Sequence, residues 1–341
     1  MENSMSRILI ETMVRQTLRG FQEDPERSIR NSVDMALQFS KGRFQRRFFE
    51  TARTWLKNED SAYYGMVRDA ANHIETEHLV KLGMNIGYYS CTWGSKCIRI
   101  NEKRLGCKIP WTILFQMDSS RCSDHFSQYD SIINEGEQLG IYCWMLLPNS
   151  VPMDALFLLI ERHPNSAFFL FCRPEDVTAA ALDEIASLKH LMVAVRWDDK
   201  VSETCAMLRN ARLPYSVYYP YSQNDLQFIL NEDLFCDTQQ LHPLFTVLAA
   251  KPDCPTDVRR LVYQTAIKIR SAQHYQTLPW ELFFDTQNLN EIISDDTCYA
   301  FFDAQGRLLD PDCPGQDSFG NLFEKGLTSL LRQAYSKAVM A

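Results

Sequence analysis

"WTILFQMDSSRCSDHFSQYDSIINEGEQLGIYCWMLL", residues 111–147, decides the fold. It opens on an apolar run, residues 111–117, which ends in a polar turn holding one cysteine, Cys122. A helical pattern follows, with Ser127 and Asp130 placed as its capping box and Gly140 as its stop. A second apolar run, residues 141–147, comes next. Strand, turn, helix and strand in this order make one strand-helix unit and the start of another.

The pattern recurs in "AFFLFC" (167–172), "LMVAVRW" (191–197), "YSVYYPY" (215–221) and "PLFTVLAA" (243–250). Successive runs start roughly 25 to 30 residues apart, the length of a strand-helix unit. Apolar runs without strict alternation suit parallel strands covered on both faces. The stretches between them read as helices. "RPEDV" (173–177) puts a proline and acids in a first turn, and Val201, Cys205 and Leu208 form a stripe. Repeated right-handed strand-helix units give a barrel or an open sheet. Six strands are fewer than the eight of a closed barrel. The expected fold is therefore α/β, a partial (β/α)6-type barrel over residues 106–250.

Residues 1–105 read as a helical N-terminal region. Ile10, Val14, Leu18 and Phe21 share one helical face, and Asp24 with Pro25 starts the next helix. Ile29, Val33 and Leu37 line that helix. Phe44, Phe48, Ala52 and Trp55 line a third, Tyr64, Val67, Ala71 and Ile74 a fourth, and a shorter helix runs from about Leu79 to Ile86. Residues 251–341 read as a small α+β C-terminal extension. A helix over 254–270, a strand over 278–284 and a hairpin over 298–313 with its turn at Asp303 to Gly306 precede a last helix from Leu322.

Bulk numbers bound the function. The 341 residues are 45% hydrophobic and 23% charged, ordinary globular composition. A net charge of −8 without a long basic run argues against nucleic-acid binding. There is no apolar stretch long enough to span a membrane. The N-terminal "MENSMSRILIETMVRQTLRG" is broken by charges, unlike a signal peptide, so a cytoplasmic protein is expected. Eleven cysteines, several inside apolar runs, read as buried free thiols. Oligomeric state is left open.

Parallel α/β folds bind ligands at the carboxyl ends of their strands. That rule selects Asp118, Ser119, Ser120, Arg121 and Cys122 after the first strand, Asn149 and Ser150 after the second, and Arg173 after the third. It adds Arg196, Asp198 and Asp199 after the fourth, Tyr219, Tyr221 and Ser222 after the fifth, and Asp237, Gln239, Gln240 and His242 near the sixth. Of these, Asp118, Arg121, Cys122, Arg173, Arg196, Asp198, Tyr219 and Asp237 are the ligand-binding set, suited to an anionic or zwitterionic molecule. The bland reading of each is an ordinary polar loop residue. Cys122 and His125 lack a visible third group to orient a nucleophilic pair. Neither a phosphate-cradling glycine loop nor a dinucleotide fingerprint occurs, and the spacings in "CTWGSKC" do not fit a zinc site.

The stretch from "KCIRINEKRLGCKIPWTILFQMDSSRC" to "LGIYCWMLL" resembles the start of the barrel in radical S-adenosylmethionine proteins. The resemblance is to bacterial members with a helical N-terminal region and a SPASM or twitch-like tail, and it covers about residues 96–337. "CPTDVRRLVYQTAIKIR", "CYAFFDAQGRLLDPDC" and "FGNLFEKGLTSLLRQA" look like that family's closing helix, cysteine hairpin and last helix. The family carries C-x3-C-x2-C after its first strand, to hold a four-iron cluster, and a Gly-Gly-Glu-Pro-like turn after its second. Here only Cys122 matches the first motif. Phe126 and Tyr129 stand at the other two positions, and "LLPNSVP" (146–152) replaces the turn. Cys298 and Cys313 match two cysteines of the auxiliary region, fewer than the usual four-ligand set.

Three readings follow. In the first, the chain is a degenerate, non-catalytic relative that keeps the barrel to bind a small molecule, peptide or protein. It then has no cofactor, and Cys122, Cys298 and Cys313 are relics. In the second, it is an enzyme holding a 4Fe-4S cluster and S-adenosylmethionine through atypical ligands, with Cys143 and Cys172 joining Cys122 or a histidine substituting. In the third, it is an unrelated barrel isomerase or hydrolase working with Asp118, Asp198 and Asp237. The expected partners exclude nucleic acid and membrane.

Overall fold

The computed structural model describes residues 4–39, 43–294, 298, 300–309 and 320–336. Five helices come first: α1 (Ser4–Glu23), α2 (Pro25–Phe39), α3 (Arg43–Trp55), α4 (Ala62–His73) and α5 (Thr76–Met84). Asp24 caps α2 as expected, its Oδ1 accepting from the Arg27 amide at 3.1 Å. The expected short fifth helix runs on into a π-helix, Asn85–Gly94, then α6 (Ser95–Leu105). Alternation begins with β1 (Thr112–Asp118), α7 (Ser119–Leu139), β2 (Cys143–Asn149), α8 (Met153–Glu161), β3 (Ala167–Cys172), α9 (Ala179–Ser187) and β4 (Leu191–Arg196). It continues through α10 (Val201–Asn210), β5 (Tyr215–Tyr221), α11 (Leu226–Leu230), α12 (Asp233–Gln239), β6 (Phe245–Ala250), α13 (Thr256–Ala272) and β7 (Leu278–Glu281). The chain then adds α14 (Leu282–Ser294), β8 (Phe301–Phe302), β9 (Leu308–Leu309), α15 (Leu322–Lys325) and α16 (Leu327–Ala334). The fold is α/β, the partial barrel expected, with a helical N-terminal region and a small α+β extension.

The chain forms two compact units. One comprises residues 1–84 and 194–282, the other 85–193 and 283–341. In the second unit β1, β2 and β3 pair in parallel, and β8 lies parallel to β1 with β9 antiparallel beyond it. The Asp303–Gly306 turn closes that hairpin as expected, with the Gly306 amide donating to the Asp303 carbonyl at 2.9 Å. In the first unit β5, β6 and β7 pair in parallel. The sequence predicts a strand throughout 278–284, but pairing stops at Glu281 and α14 takes over.

The second unit's core is aromatic. Phe115 and Trp144 stack with ring centroids 5.7 Å apart, and Tyr129 meets Phe115 edge-on at 5.4 Å. Trp144 is fully buried, and its indole N–H donates to Ser166 Oγ at 3.2 Å. Its ring lies on Gly136, where a Cβ would come within 2.5 Å of the indole. This close approach is what makes glycine necessary inside α7. Gly140 ends α7 as expected, at φ +108°.

Two expectations are corrected at α7. The polar segment after β1 is no turn, because α7 begins at Ser119, directly after Asp118. Ser127 and Asp130 therefore sit inside the helix and cap nothing. Asp130 faces the α8–β3 connection instead, 3.3 Å from His163 Nε2 and 3.5 Å from Arg162 Nη1. Serine and aspartate favour turns and helix starts alike, so composition alone cannot separate the two.

Candidate functional site

The carboxyl ends of β1, β2 and β3 line up three polar side chains. Asp118 and Asn149 are register partners, and the β2–β3 register, extended from Leu146 opposite Leu170, sets Asn149 beside Arg173. Arg173 Nη2 donates to Asn149 Oδ1 at 3.2 Å, and Asn149 Nδ2 makes a long contact with Asp118 Oδ2 at 3.5 Å. The row thus runs carboxylate, amide, guanidinium across three strand ends. Arg173 is held from behind, where its amide donates to Asp176 Oδ2 at 2.8 Å and its Nη1 lies 3.7 Å from Glu175. A row of opposite charges flanking an amide can receive a small molecule that carries both signs.

In the other unit, Tyr219 at the end of β5 joins a second cluster, around Asp225. The Tyr219 phenol donates to Asp225 Oδ1 at 3.0 Å, and the Ser222 amide and hydroxyl donate to Oδ2 at 2.7 and 2.8 Å. Lys251 Nζ stands 3.7 Å from the same oxygen. Burial pushes the Asp225 carboxyl up, but these donors and the lysine outweigh it and hold it below the ordinary range. Burial, and then the Asp225 acceptor, push Tyr219 up to about 12, so its phenol stays a donor. Tyr221 is buried against Glu281, its phenol donating to Oε1 at 3.0 Å, and so does not face a ligand.

The cluster has a measurable consequence. The folded pKa of Asp225 lies below the unfolded value of about 3.9. Its contribution is therefore complete above that value and lost as pH falls below it. Asp225→Asn is expected to cost about 1 kcal/mol at neutral pH and to flatten the acid limb of stability. Urea unfolding followed from neutral pH down to about pH 3, in the range where the carboxylate takes its proton, checks both. An acid limb as steep as that of the unsubstituted protein would be the opposite result.

The remaining expected residues scatter. Arg196 is exposed at the end of β4, and Asp198 Oδ1 accepts from the Lys200 amide at 2.9 Å within its own turn. Asp237 is exposed on α12, the helix leading into the amino end of β6. Asp198 and Asp237 thus belong to opposite strand ends, and the paired acids of a barrel hydrolase are not assembled from them. The side chains of Arg121 and Cys122 lie outside the described residues, as does Cys313. Cys298 is fully buried.

The cysteine trio is also corrected. Cys143 is the first residue of β2, in register with Ala167 at the start of β3, while Cys172 ends β3. Five residues of strand put the two about 17 Å apart along the sheet. Among the described residues, no three histidine, cysteine or acidic side chains gather as a metal ion needs.

The two aromatic positions of the cluster motif are occupied by packing. Tyr129 is 1% exposed, between Phe115 and Phe323 at 5.4 and 5.2 Å. Phe126 lies under the Arg162 guanidinium at 5.2 Å. A cluster ligand must present a thiolate to iron, and these residues fill space instead, so the chain does not fit a three-cysteine cluster here. Sequence reading missed Asp225 and Lys251. The S-x-x-D spacing of Ser222 and Asp225 directly after a strand is the signal that could have found the first.

No family model matches the chain, and no curated protein matches it. It is similar to solved structures of SuiB from Streptococcus suis. With SuiB bound to S-adenosylmethionine the TM-score is 0.49 at 8% identity, over 70% of this chain and 68% of that one. With SuiB bound to the precursor peptide SuiA it is 0.48 at 9%, over 70% and 69%. A third SuiB structure gives 0.47 at 10%, over 87% and 77%. No described helix is long and apolar enough to cross a membrane.

Proposed function

We propose that this chain is a non-catalytic, cytoplasmic relative of the bacterial radical S-adenosylmethionine proteins, keeping a partial barrel and a SPASM or twitch-like tail as a binding scaffold. The observation that carries the reading is Tyr129. At the third cluster position it is a core side chain, held between Phe115 and Phe323. The start of α7 directly after Asp118 supports it too, since a helix replaces the ligand-bearing loop. The row of Asp118, Asn149 and Arg173 is the surface we assign to the ligand, a small molecule with an anionic or zwitterionic head.

The test is iron and acid-labile sulfide per chain after oxygen-free purification and reconstitution, with Cys122→Ala measured beside the parent protein. Both are expected to hold far less than one cluster. A full cluster in the parent, absent from the variant, overturns the reading and makes residues 118–131 a working iron site.

A further inference from the structure

The amino ends of β5, β6 and β7 carry a shallow open cleft, lined by residues of α4, α10 and the loops leading into these strands. All of its lining belongs to one compact unit. Met66, Ile74 and Leu244 supply apolar surface. Among the polar groups, Asp69 is already matched. Arg209 grips it through two donors, Nη1 to Oδ2 at 2.8 Å and Nη2 to Oδ1 at 2.7 Å, and His73 Nδ1 lies 3.0 Å from Oδ1. The Tyr215 phenol is committed to the Leu241 carbonyl at 2.5 Å.

That leaves Arg212 and His242. Both line the cleft, and among the described residues neither side chain makes a hydrogen bond or an ion pair, although His242 lies near enough to Asp69 to help hold its carboxyl down. Because Arg209 balances Asp69, Arg212 gives the cleft a surplus of positive charge. The backbone holds both residues in place. Each has a left-handed conformation, Arg212 at φ 60° and His242 at φ 54°, uncommon for arginine and better tolerated by histidine. The Arg212 carbonyl accepts from the Glu75 amide at 2.9 Å, and the His242 amide donates to the Gln239 carbonyl at 3.1 Å. Their backbones are thus held at the cleft while both side chains reach into solvent as unspent donors beside an apolar wall.

We propose that this cleft binds a small organic acid, its carboxylate held by Arg212 and His242 and its apolar body laid against Met66, Ile74 and Leu244. The site lies at the strand ends opposite those used by the β5 cluster, and the proposal does not depend on the fate of the iron motif. A guanidinium and an imidazole meeting one carboxylate make charge-assisted hydrogen bonds, the stronger kind. The apolar wall adds affinity in proportion to the area it covers.

The probe is hexanoate, titrated into the full chain while the imidazole signals of His73 and His242 are followed by NMR, with hexan-1-ol and inorganic phosphate as controls. Saturable shifts at both histidines are expected with hexanoate. Arg212→Asn, which asparagine tolerates in a left-handed backbone, is expected to weaken binding at least about tenfold by removing the charged donor. Arg212→Gly serves as a second variant should that one fail to fold. Hexanoate without effect overturns the proposal, as does unchanged affinity in the folded Arg212 variant. Hexan-1-ol binding as well as hexanoate would remove the carboxylate's role, and phosphate binding equally well would remove the apolar one. Either result also overturns it.

Discussion

Rebuilding the cysteine motif by Phe126→Cys with Tyr129→Cys is expected to destabilise the protein by about 3–5 kcal/mol, the range for emptying a buried aromatic site, without giving it a cluster. Positions 122, 126 and 129 recur at i, i+4 and i+7 of α7 and so share one helical face. On that face Tyr129 fills a core site against Phe115 and Phe323. Cysteine leaves most of its volume empty, and close-packed surroundings relax only in part. Losing the Phe126 ring also strips Arg162 of its aromatic partner, worth about 0.5–1 kcal/mol at a partly exposed site. The new thiol at 129 would be buried where Tyr129 now lies. Burial pushes the Cys143 thiol of the same unit up to about 12, although Thr112 bonding opposes it. A thiol so placed stays protonated at neutral pH and is a poor ligand for iron. Urea midpoints and iron per chain, with Phe126→Leu with Tyr129→Phe as the packed control, check both halves. A double-cysteine variant as stable as the parent, or one holding four irons, would mean that α7 is not a core helix.

The strands and the packing of α7 are not equally legible in the sequence. The six strand runs from 111 to 250 match β1 to β6 closely, because strands covered on both faces are continuous in apolar residues and need no distant information to be seen. Tyr129 and Phe126 were visible as departures from a motif. That Tyr129 is core was not, since its neighbour Phe323 lies far along the chain. The start of α7 was misplaced because Ser119, Ser120, Ser123 and Asp124 suit a turn as well as a first helical turn. The strand-end rule found Asp118, Asn149 and Arg173 because strand ends are local features. It also collected Asp237, which belongs to the other end of its strand, because a list of polar residues near a strand has no direction. The cleft beside Asp69 was out of reach, since its ion pair with Arg209 spans 140 positions. Charge pairs of that separation leave no periodic trace in one sequence.

Asn290→Ala is expected to cost about 3–5 kcal/mol, although Asn290 touches none of the assigned ligand residues. The side chain is fully buried on α14. Its Oδ1 accepts from the amides of Trp111 and Thr112 at 2.8 and 3.0 Å, and its Nδ2 donates weakly to the Thr112 carbonyl at 3.4 Å. These are the backbone groups where β1 begins. Alanine would leave two buried N–H donors without their acceptor, each at about 1–3 kcal/mol. A water can replace the amide only by finding two or more polar partners in the space vacated. Asn290→Asp supplies an acceptor for both amides in either state, but ionised it places a charge in a buried site facing the Thr112 carbonyl and only the protonated acid can donate to that carbonyl, so stability is expected to rise as pH falls. Asn290→Ala should therefore lower the urea midpoint at every pH, and Asn290→Asp should lower it most at neutral pH. Amide exchange at Trp111 and Thr112 should accelerate in the alanine variant more than exchange within β2. Equal acceleration in both strands would mean that β1 and β2 open as one piece, and that α14 steadies the whole sheet of its unit rather than the lead-in to Asp118.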